Sequence, residues 1–296
     1  MSLDHSDEQL NRVGTRRVMI SFVVATLNSK DRLAGLVRCF QALATIDAEL
    51  VVVDGGSADG TAEWLATEVP APPESKIVWK SMPDMGIADA WNKGVALSSG
   101  QWLLFLGADD RLSSEEDLRS VVESLRSVPD GVMAVGMPVR IVSPSGTLLT
   151  TLKPQLGSTA AFPVTSSLPH QGVFHRRDIW RRIGPFDTSF IIASDYEFLL
   201  RAWASGIEMM VLESSAPPVQ MCFGGLSKQS PLRNLAEFRA IRRAYGVKQP
   251  WLAQLGEWLK ATTRALLVHV CGRDVANSVA DMFRAIAGRP RCWAVK

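Results

Sequence analysis

Two adjacent carboxylates, Asp109 and Asp110, follow an apolar run, Leu103–Leu106, in this chain of 296 residues. Neighbouring aspartates repel each other, and a hard divalent cation removes that repulsion. Mg²⁺ or Mn²⁺ held by one or two carboxylates, with water and phosphate oxygens completing its shell, is the usual arrangement for diphosphate substrates. The alternative is a turn in which Asp109 or Asp110 caps a helix that begins near Ser113.

Another carboxylate, Asp54, ends a second apolar run and is followed by two glycines in the segment VVVDGGSADGT. Two glycines after a carboxylate leave space for a flat ring or a ribose against the backbone. The segment has neither the GxGxxG pattern of dinucleotide sites nor the GK[ST] pattern of phosphate loops. Taken alone, it favours a structural strand-to-helix turn in which Asp59 caps the following helix.

Three polar residues of the segment GIADAWNKG, Asp89, Asn92 and Lys93, are spaced three and four residues apart. On a helix, this spacing brings them close together on one face. Such a face near the strand ends could hold a sugar diphosphate. The alternative is an exposed helix surface with an ordinary Asp–Lys ion pair.

Alternating strands and helices carry these residues. Continuous β-rich apolar runs indicate buried parallel strands, and apolar residues at helical spacing indicate helices. The predicted order is strand Val18–Thr26, helix Asp31–Ala44, strand Leu50–Val53, a helix through Ala62–Ala66, strand Lys76–Trp79, helix Ile87–Leu97 and strand Gln101–Leu106. This order predicts an open, mostly parallel, doubly wound α/β sheet. Ligands bind such sheets at the carboxyl ends of the strands, where Thr26, Asn28, Asp54 and the two adjacent aspartates fall.

The pattern changes after residue 130. Alternating residues in Val132–Val142 and Leu148–Leu152, on either side of a Pro-Ser-Gly turn, predict a β-hairpin. A short strand at Val173–His175 and a helix at Ser194–Ala204 follow. Two helices are predicted to close the chain, with apolar stripes that run from Trp251 to Val270 and from Val275 to Ile286.

Composition narrows the class of protein. Hydrophobic types make up 47% and charged types 21% of the chain, which argues against disorder. Lys and Arg (32) nearly balance Asp and Glu (30), so the whole-chain charge gives no reason to expect a nucleic-acid partner. Four cysteines without a CxxC pair exclude a local zinc knuckle and favour a reducing, cytoplasmic location. Residues 1–17 predict a disordered lead without a signal peptide, and no run reaches the roughly 18 apolar residues of a membrane span.

The charge is concentrated at one end. Residues 233–296 hold 12 basic and 4 acidic residues, whereas residues 1–232 carry a net charge of −6. One interpretation is peripheral contact with an anionic membrane at the inner face of the cell, where a lipid-linked acceptor would lie. The other is a pair of helices packed on the body with solvated charged faces.

The order of these motifs resembles the family 2 glycosyltransferases of the GT-A fold. The resemblance rests on SFVVATLNSKDRL, VVVDGGSADGT and GIADAWNKGVALSSGQWLLFLGADD. It is dense over residues 18–112 and thinner over 168–230. The middle segment is most similar to the branch that builds bacterial O-antigens, capsules and exopolysaccharides.

The resemblance implies a role for each motif. Thr26, Asn28, Gly56 and Ser57 would line the nucleotide pocket, Asp54 would accept a hydrogen bond from the base, and Asp89, Asn92 and Lys93 would contact ribose, sugar or diphosphate. Asp110 would hold Mn²⁺ or Mg²⁺, and Asp109 would approach the ribose and contribute to the metal site.

The segment SDYEFLLR is similar to the family's E-D-x-x-L-x-x-R helix start, which makes Asp195 the catalytic base. Ser194 replaces the commoner glutamate, and this departure leaves Glu197 as an alternative base. His170 and Gln171 fall where the family often has an acceptor-side segment, although a histidine beside proline is commonly structural. Gly225 lies in a segment that resembles a mobile glycine loop over the diphosphate.

The implied protein is an inverting, metal-dependent enzyme that moves a sugar from a nucleotide-diphosphate donor to a glycan or lipid-linked acceptor. Its catalytic domain would span residues 18–230, with a nucleotide-sugar half at 18–112 and an acceptor half at 113–230. A basic helical extension would follow at 231–296. Two alternatives stay open: a nucleotidyltransferase of the same fold, and a non-catalytic subunit that binds nucleotide sugars.

Overall fold

The computed structural model describes residues 19–43, 45–70, 75–143, 145–156, 168–213, 215–222, 230–286 and 288. The predicted lead at 1–17 and Gly225 lie outside these residues. The strands are β1 (Ile20–Thr26), β2 (Ala48–Asp54), β3 (Ile77–Ser81), β4 (Trp102–Gly107), β5 (Arg111–Leu112), β6 (Val132–Gly136), β7 (Val139–Val142), β8 (Leu148–Leu152), β9 (Val173–Arg176), β10 (Glu208–Val211) and β11 (Val219–Cys222). The helices are α1 (Lys30–Gln41), α2 (Thr61–Glu68), α3 (Ile87–Leu97), α4 (Glu115–Arg126), α5 (Ile179–Ile183), α6 (Ser194–Ala204), α7 (Pro231–Ala244) and α8 (Trp251–Ile286).

A seven-stranded sheet organises the protein, in the order β10-β6-β9-β4-β1-β2-β3. Its neighbours are parallel except at β9, which runs antiparallel to both β4 and β6. The predicted mostly parallel α/β sheet is therefore confirmed. The carboxyl ends of β1, β2 and β4 lie side by side, because β1 pairs in register with both of the other strands.

Both faces of this sheet are covered, which explains the continuous apolar runs. On β4, Trp102, Leu104 and Leu106 pack with α1, α2 and α4, whereas Leu103 and Phe105 pack with α3, α5 and α6. Successive side chains of a strand point to opposite faces, so a strand between two helical layers needs apolar residues at every position.

The segment Val132–Val142 does not form one strand of a hairpin as predicted. β6 joins the main sheet beside β9 and β10, whereas β7 pairs with β8 in a second sheet of order β5-β11-β7-β8. Pro138 stands between β6 and β7, where the absence of a proline N–H is compatible with a break in the ladder. The antiparallel pairing of β7 with Leu148–Leu152 agrees with the prediction.

Two helices follow the sheets. α7 packs on α6, where Ile241 shares a buried cluster with Tyr196 and Leu200 and the Phe238 ring stacks on Tyr196 with centroids 4.4 Å apart. α8 packs on α7 and is interrupted at Gly272, whose backbone is non-helical with φ of 82°. That break separates the two predicted apolar stripes. Among the described residues, no helix offers a stretch long and apolar enough to cross a membrane.

Candidate active site

The loops after β1 and β2 interlock at the carboxyl edge of the sheet. Thr26 pairs with Asp54 at the last position of the two strands. The backbone N–H of Asn28 donates to Ser57 Oγ (2.7 Å), and the Asn28 side chain accepts from the N–H of Ala58 (2.8 Å). Asn28 has a left-handed φ of 49°, a conformation that asparagine tolerates better than most residues. The sequence-predicted Thr26, Asn28, Asp54 and Ser57 are thus brought together.

Asp54 is fully buried and already holds the turn that follows it. Its carboxylate accepts hydrogen bonds from Ser57 Oγ (2.5 Å) and from Ser81 Oγ (2.6 Å) at the end of β3. Gly56 allows the turn because its φ is +83°, in the region that favours glycine. Asp54 therefore shapes this part of the edge, and its predicted contact with a base stays a prediction.

Asp89 and Lys93 hold the loop that enters α3. Lys93 Nζ lies 2.9 Å from Asp89 Oδ2 and donates to the carbonyl of Pro83 (2.7 Å). Asp89 Oδ2 also accepts from the N–H of Met85 (3.0 Å). The Lys93 hydrogen bond and, after it, the Met85 N–H lower the pKa of Asp89, so this carboxylate is charged at neutral pH. The ion pair expected in the structural alternative is present beside the predicted donor site.

Asn92 connects α3 to the second half of the chain through two hydrogen bonds to one residue. Its amide nitrogen donates to the carbonyl of Phe186 (2.9 Å), and its amide oxygen accepts from the N–H of the same residue (2.9 Å). Phe186 packs against Phe198 of α6 with ring centroids 4.4 Å apart. The two hydrogen bonds of Asn92 therefore connect α3, which borders the donor edge, to the helix that carries the candidate base.

The two adjacent aspartates do not cap α4. Its cap is Ser114, whose side chain accepts from the N–H of Asp117. Asp110 is buried and instead accepts from the N–H of Gly107 (2.8 Å), and the N–H of Cys222 on β11 also donates to it. Burial and the nearby Asp109 charge raise the pKa of Asp110 to about 7, against the effect of the two N–H donors. The capping alternative is therefore wrong.

The donor set of this turn fits a hard divalent cation. Asp109 and Asp110 supply carboxylate oxygens at the carboxyl end of β4, and the described residues contain no group of three His, Cys, Asp or Glu side chains that could hold a metal by themselves. Two carboxylates leave coordination positions for water and diphosphate oxygens, as Mg²⁺ prefers. The guanidinium of Arg32, 3.9 Å from Asp109 Oδ2, provides a cation at the same edge.

The two candidate bases lie in the first turn of α6 in different environments. Asp195 is half-buried, and its Oδ1 accepts from the N–H of Tyr196 (2.7 Å). Burial raises the pKa of Asp195 to about 6, near the range in which a general base works at neutral pH. Glu197 is buried, pairs with Arg201 (3.0 Å) and accepts from the hydroxyl of Tyr245 (2.6 Å). These contacts occupy Glu197 and leave Asp195 as the stronger candidate.

His170 belongs to an aromatic core. Its ring is buried, stacks on Phe105 with centroids 5.4 Å apart and lies 4.7 Å from the Trp91 ring. Burial lowers the pKa of His170 to about 3, so the ring is neutral. Gln171 is half-buried on the same 3-10 turn, His170–Gly172. This environment favours the structural interpretation of His170.

Sequence reasoning missed the contribution of α7. Glu237 accepts hydrogen bonds from the N–H groups of Ile192 (2.8 Å) and Ala193 (2.9 Å), directly before α6. Tyr245, at the end of α7, reaches Glu197 as described above. The only sequence signal was an acidic residue in an otherwise basic segment, and it did not indicate its partners.

The sheet between two helical layers, with two carboxylates after β4, has the architecture of the GT-A fold. Residues 21–181 match the model of glycosyl transferase family 2, and the chain belongs to this family. It is 27% identical over 258 residues to a PGL/p-HBAD biosynthesis glycosyltransferase of Mycobacterium bovis, covering 84% of this chain and 94% of that protein. The chain is 26% identical over 240 residues to the succinoglycan biosynthesis protein ExoO of Rhizobium meliloti, covering 76% and 67% of the two chains.

A solved structure supports the same fold. The mannosyltransferase PcManGT of Pyrobaculum calidifontis, in complex with GDP-Man and Mn²⁺, superimposes with a TM-score of 0.59 at 15% identity. The match covers 93% of this chain and 76% of that protein. The resemblance drawn from the sequence motifs is therefore confirmed for fold and family.

Proposed function

We propose that the protein is an inverting, metal-dependent glycosyltransferase that moves a sugar from a nucleotide-diphosphate donor to a glycan or lipid-linked acceptor. The observation that carries the proposal is Asp110, a buried carboxylate with a raised pKa beside Asp109, at the carboxyl end of β4. A bound cation removes the repulsion between a buried carboxylate and a neighbouring one, and a diphosphate supplies the oxygens that complete the cation's coordination shell.

Asp195 performs the proton transfer in this proposal. Its carboxylate takes the proton of the acceptor hydroxyl while that oxygen attacks the anomeric carbon from the face opposite the diphosphate. The new C–O bond forms as the bond from the anomeric carbon to the diphosphate oxygen breaks, and the leaving nucleoside diphosphate keeps the electron pair. A single in-line displacement inverts the anomeric centre, so no covalent enzyme intermediate is required.

The leaving group gains negative charge, which the donor edge must offset. Arg32 provides a cation beside Asp109. Lys93 provides a second cation at the Pro83 loop, where it is paired with Asp89. Asp110 and Asp109 would hold Mn²⁺ or Mg²⁺, which when bound supplies electrostatic stabilisation of the diphosphate. Asn28 and Ser57 keep the loops after β1 and β2 in place around the nucleotide.

The biological setting is part of the proposal. The names of the two relatives refer to PGL/p-HBAD and succinoglycan biosynthesis, which supports a role in building cell-surface glycans or glycolipids. We place the enzyme in the cytoplasm, at the inner face of the cell membrane. The proposed catalytic unit spans residues 18–230, with halves at 18–112 and 113–230, and α7 of the extension at 231–296 packs on it.

A thermal-shift panel tests the donor site without knowledge of the acceptor. UDP and GDP are each added with and without Mn²⁺, because a ligand that binds the folded state raises the melting temperature. We expect a metal-dependent rise with one nucleotide, lost in Asp110→Asn and retained in Asp178→Asn, a matched change of an exposed carboxylate that pairs with Arg181. A folded protein that shows no rise with any nucleotide would contradict the proposal.

A turnover measurement then separates an enzyme from a subunit that only binds donors. With the nucleotide identified, slow transfer of the sugar from the matching sugar nucleotide to water, which releases the nucleoside diphosphate, reports transfer activity in the absence of the acceptor. We expect it in the wild-type protein and its loss in Asp195→Asn, whose nucleotide-induced shift should be unchanged.

A further inference from the structure

α8 exposes large apolar side chains along most of its length. Trp251, Leu252, Leu266 and Val270 are 62–70% exposed in the segment before Gly272. Met282, Phe283 and Ile286 are 51–76% exposed in the segment after it. Isolated exposed apolar residues are ordinary, but a continuous set of this size marks an interaction surface.

The exposed residues follow the helical repeat. Before the break, apolar positions recur at three- and four-residue intervals and form one stripe; its members are Leu252, Leu255, Leu259, Leu266 and Val270. After the break, Val275, Met282 and Ile286 continue the same spacing. An α-helix with such a stripe lies along an apolar boundary with one face buried in it.

Basic charge accompanies the stripe. Residues 233–296 carry 12 basic and 4 acidic residues, and most of this excess flanks α8, since Trp251–Ile286 itself holds four basic and three acidic residues. Lys248, three residues before Trp251, and Arg273, directly after the break, are both exposed. Each exposed Lys or Arg near an anionic lipid surface contributes attraction to that surface.

We propose that α8 binds peripherally to an anionic lipid surface, with its apolar stripe in the interfacial region and the cations of α8 and its flanks, such as Lys248 and Arg273, among the lipid headgroups. A second copy of the chain is the less suitable occupant, because residues 233–296 carry a net charge of +8 and two such segments repel each other when they are brought together. A lipid surface supplies both the apolar layer and the opposite charge.

The contacts of α8 join this surface to the active site. Arg242 of α7, itself buried, pairs with Glu257 of α8 (2.9 Å). α7 in turn holds the start of α6 through Glu237. The inference deepens the proposed function, on which it rests for the lipid-linked acceptor: lipid bound by α8 would lie on the side of the protein that carries the acceptor half.

Vesicle flotation of the full chain tests the inference, with phosphatidylcholine vesicles alone or mixed with phosphatidylglycerol. The triple variant L252S/L266S/V270S removes exposed apolar groups, and K248Q/R273Q removes exposed charge. The matched control L148S/L152S changes exposed leucines of β8. We expect binding to the anionic vesicles, weakened on the order of tenfold by either α8 variant and unchanged in the control.

Three results would overturn the inference: no binding to anionic vesicles at low salt, binding that neither α8 variant weakens, or a wild-type dimer that the apolar variant converts to a monomer without any vesicle binding. The nucleotide-induced thermal shift is measured on every variant. If a variant loses vesicle binding but keeps the nucleotide-induced shift, the result bears only on the role of α8. If the protein binds vesicles but shows no nucleotide-induced shift, the result contradicts only the proposed function.

Discussion

The carboxylate of Glu237 accepts a hydrogen bond from the backbone N–H of Ala193 at 2.9 Å, two residues before Asp195. The same oxygen accepts from the N–H of Ile192, so one side chain of α7 fixes the backbone that leads into α6. Ala193 is fully buried, and its N–H would otherwise have no access to solvent. The position of the candidate base thus depends on a residue 42 positions further along the chain.

Glu237→Ala should lower kcat and destabilise the fold by about 2 kcal/mol, because it leaves buried N–H groups unpaired. The KM for the donor should stay within a factor of about two, since Glu237 touches no part of the donor edge. Steady-state kinetics and denaturant unfolding measure the two effects.

Two variants control this prediction. Glu237→Gln keeps an acceptor oxygen and should restore most of the lost kcat. Arg233→Ala removes the exposed partner of Glu237 (3.4 Å) and should behave like wild type. Equal loss of kcat in Glu237→Gln and Glu237→Ala would show that the effect is not one of hydrogen-bonded positioning.

Activity should depend on pH through Asp195. The pKa of Asp195 is raised to about 6 by burial, and a general base works in its deprotonated form. We therefore expect kcat/KM to fall as the pH drops below about 6 and to level off above it. A pH–rate profile of the wild type with saturating Mn²⁺ measures this limb.

Asp195→Asn should mainly change activity, whereas Glu197→Gln should mainly change stability. Asp195→Asn should reduce kcat by about 10²- to 10⁴-fold with little change in stability. Glu197→Gln should cost about 3 kcal/mol of unfolding free energy, because it leaves the half-buried Arg201 without its ionic partner. A folded Glu197→Gln protein with no activity, beside an active Asp195→Asn, would reverse the assignment of the base.

The stability of the fold should decrease in mild acid because of His170. Neither ring nitrogen of this buried histidine has a hydrogen-bond partner among the described residues, and its pKa is lowered to about 3 by burial. Below the ordinary pKa of about 6.5, the unfolded chain binds a proton that the folded chain does not. The contribution of His170 to the free energy of unfolding is therefore fully present above about pH 7 and falls by up to about 1.4 kcal/mol per pH unit as the pH decreases towards 3. The neighbouring His175, whose pKa is also lowered by burial, adds a slope of the same sign.

Urea unfolding at pH 7, 6 and 5 measures this slope. In His170→Leu the contribution of this ring is absent, so the unfolding free energy of the variant should rise relative to that of the wild type by about 2 kcal/mol between pH 7 and pH 5. His269→Gln, an exposed histidine of α8, serves as the control and should follow the wild type. Parallel curves for His170→Leu and wild type would contradict the prediction.

Asn92→Ala should act on stability and on the second half of the site. It removes both hydrogen bonds to Phe186 and should cost about 2 kcal/mol of unfolding free energy. If the role of the Asn92 amide is to hold Phe186, nucleotide affinity should stay near that of wild type. A large loss of nucleotide affinity, measured by calorimetry at a temperature where the variant is folded, would instead support the donor contact predicted from the motif.

The local features of the fold were predictable from the sequence. α3 and α6 begin and end where their apolar spacing predicts, at Ile87–Leu97 and Ser194–Ala204. The strands before Asp54 and Asp109 follow from runs that can be buried only between two layers. Because the carboxyl ends of parallel strands meet at one edge, the grouping of Thr26, Asn28 and Asp54 followed as well.

Long-range pairings could not be predicted in the same way. The apolar pattern of Val132–Val142 does not reveal that β6 and β7 belong to different sheets, since both environments require buried residues. The motif around Asn92 does not reveal a partner 94 residues away, and neither does the basic composition of the tail reveal the role of Glu237. Such contacts depend on which elements meet in space, and a single sequence holds no record of that.

The contacts of α7 show that α7 and α8 are under different structural constraints. Glu237, Phe238 and Tyr245 all lie before α8, so the geometry of the candidate base constrains the chain only up to about that point. Beyond it, the exposed apolar stripe of α8 is constrained only by the surface that it meets, whereas Glu257 of the same helix stays constrained by its ion pair with Arg242. Evolution could therefore relocate this enzyme through changes in the exposed stripe of α8 and alter its chemistry through changes at the strand ends, and each change would leave the other trait intact.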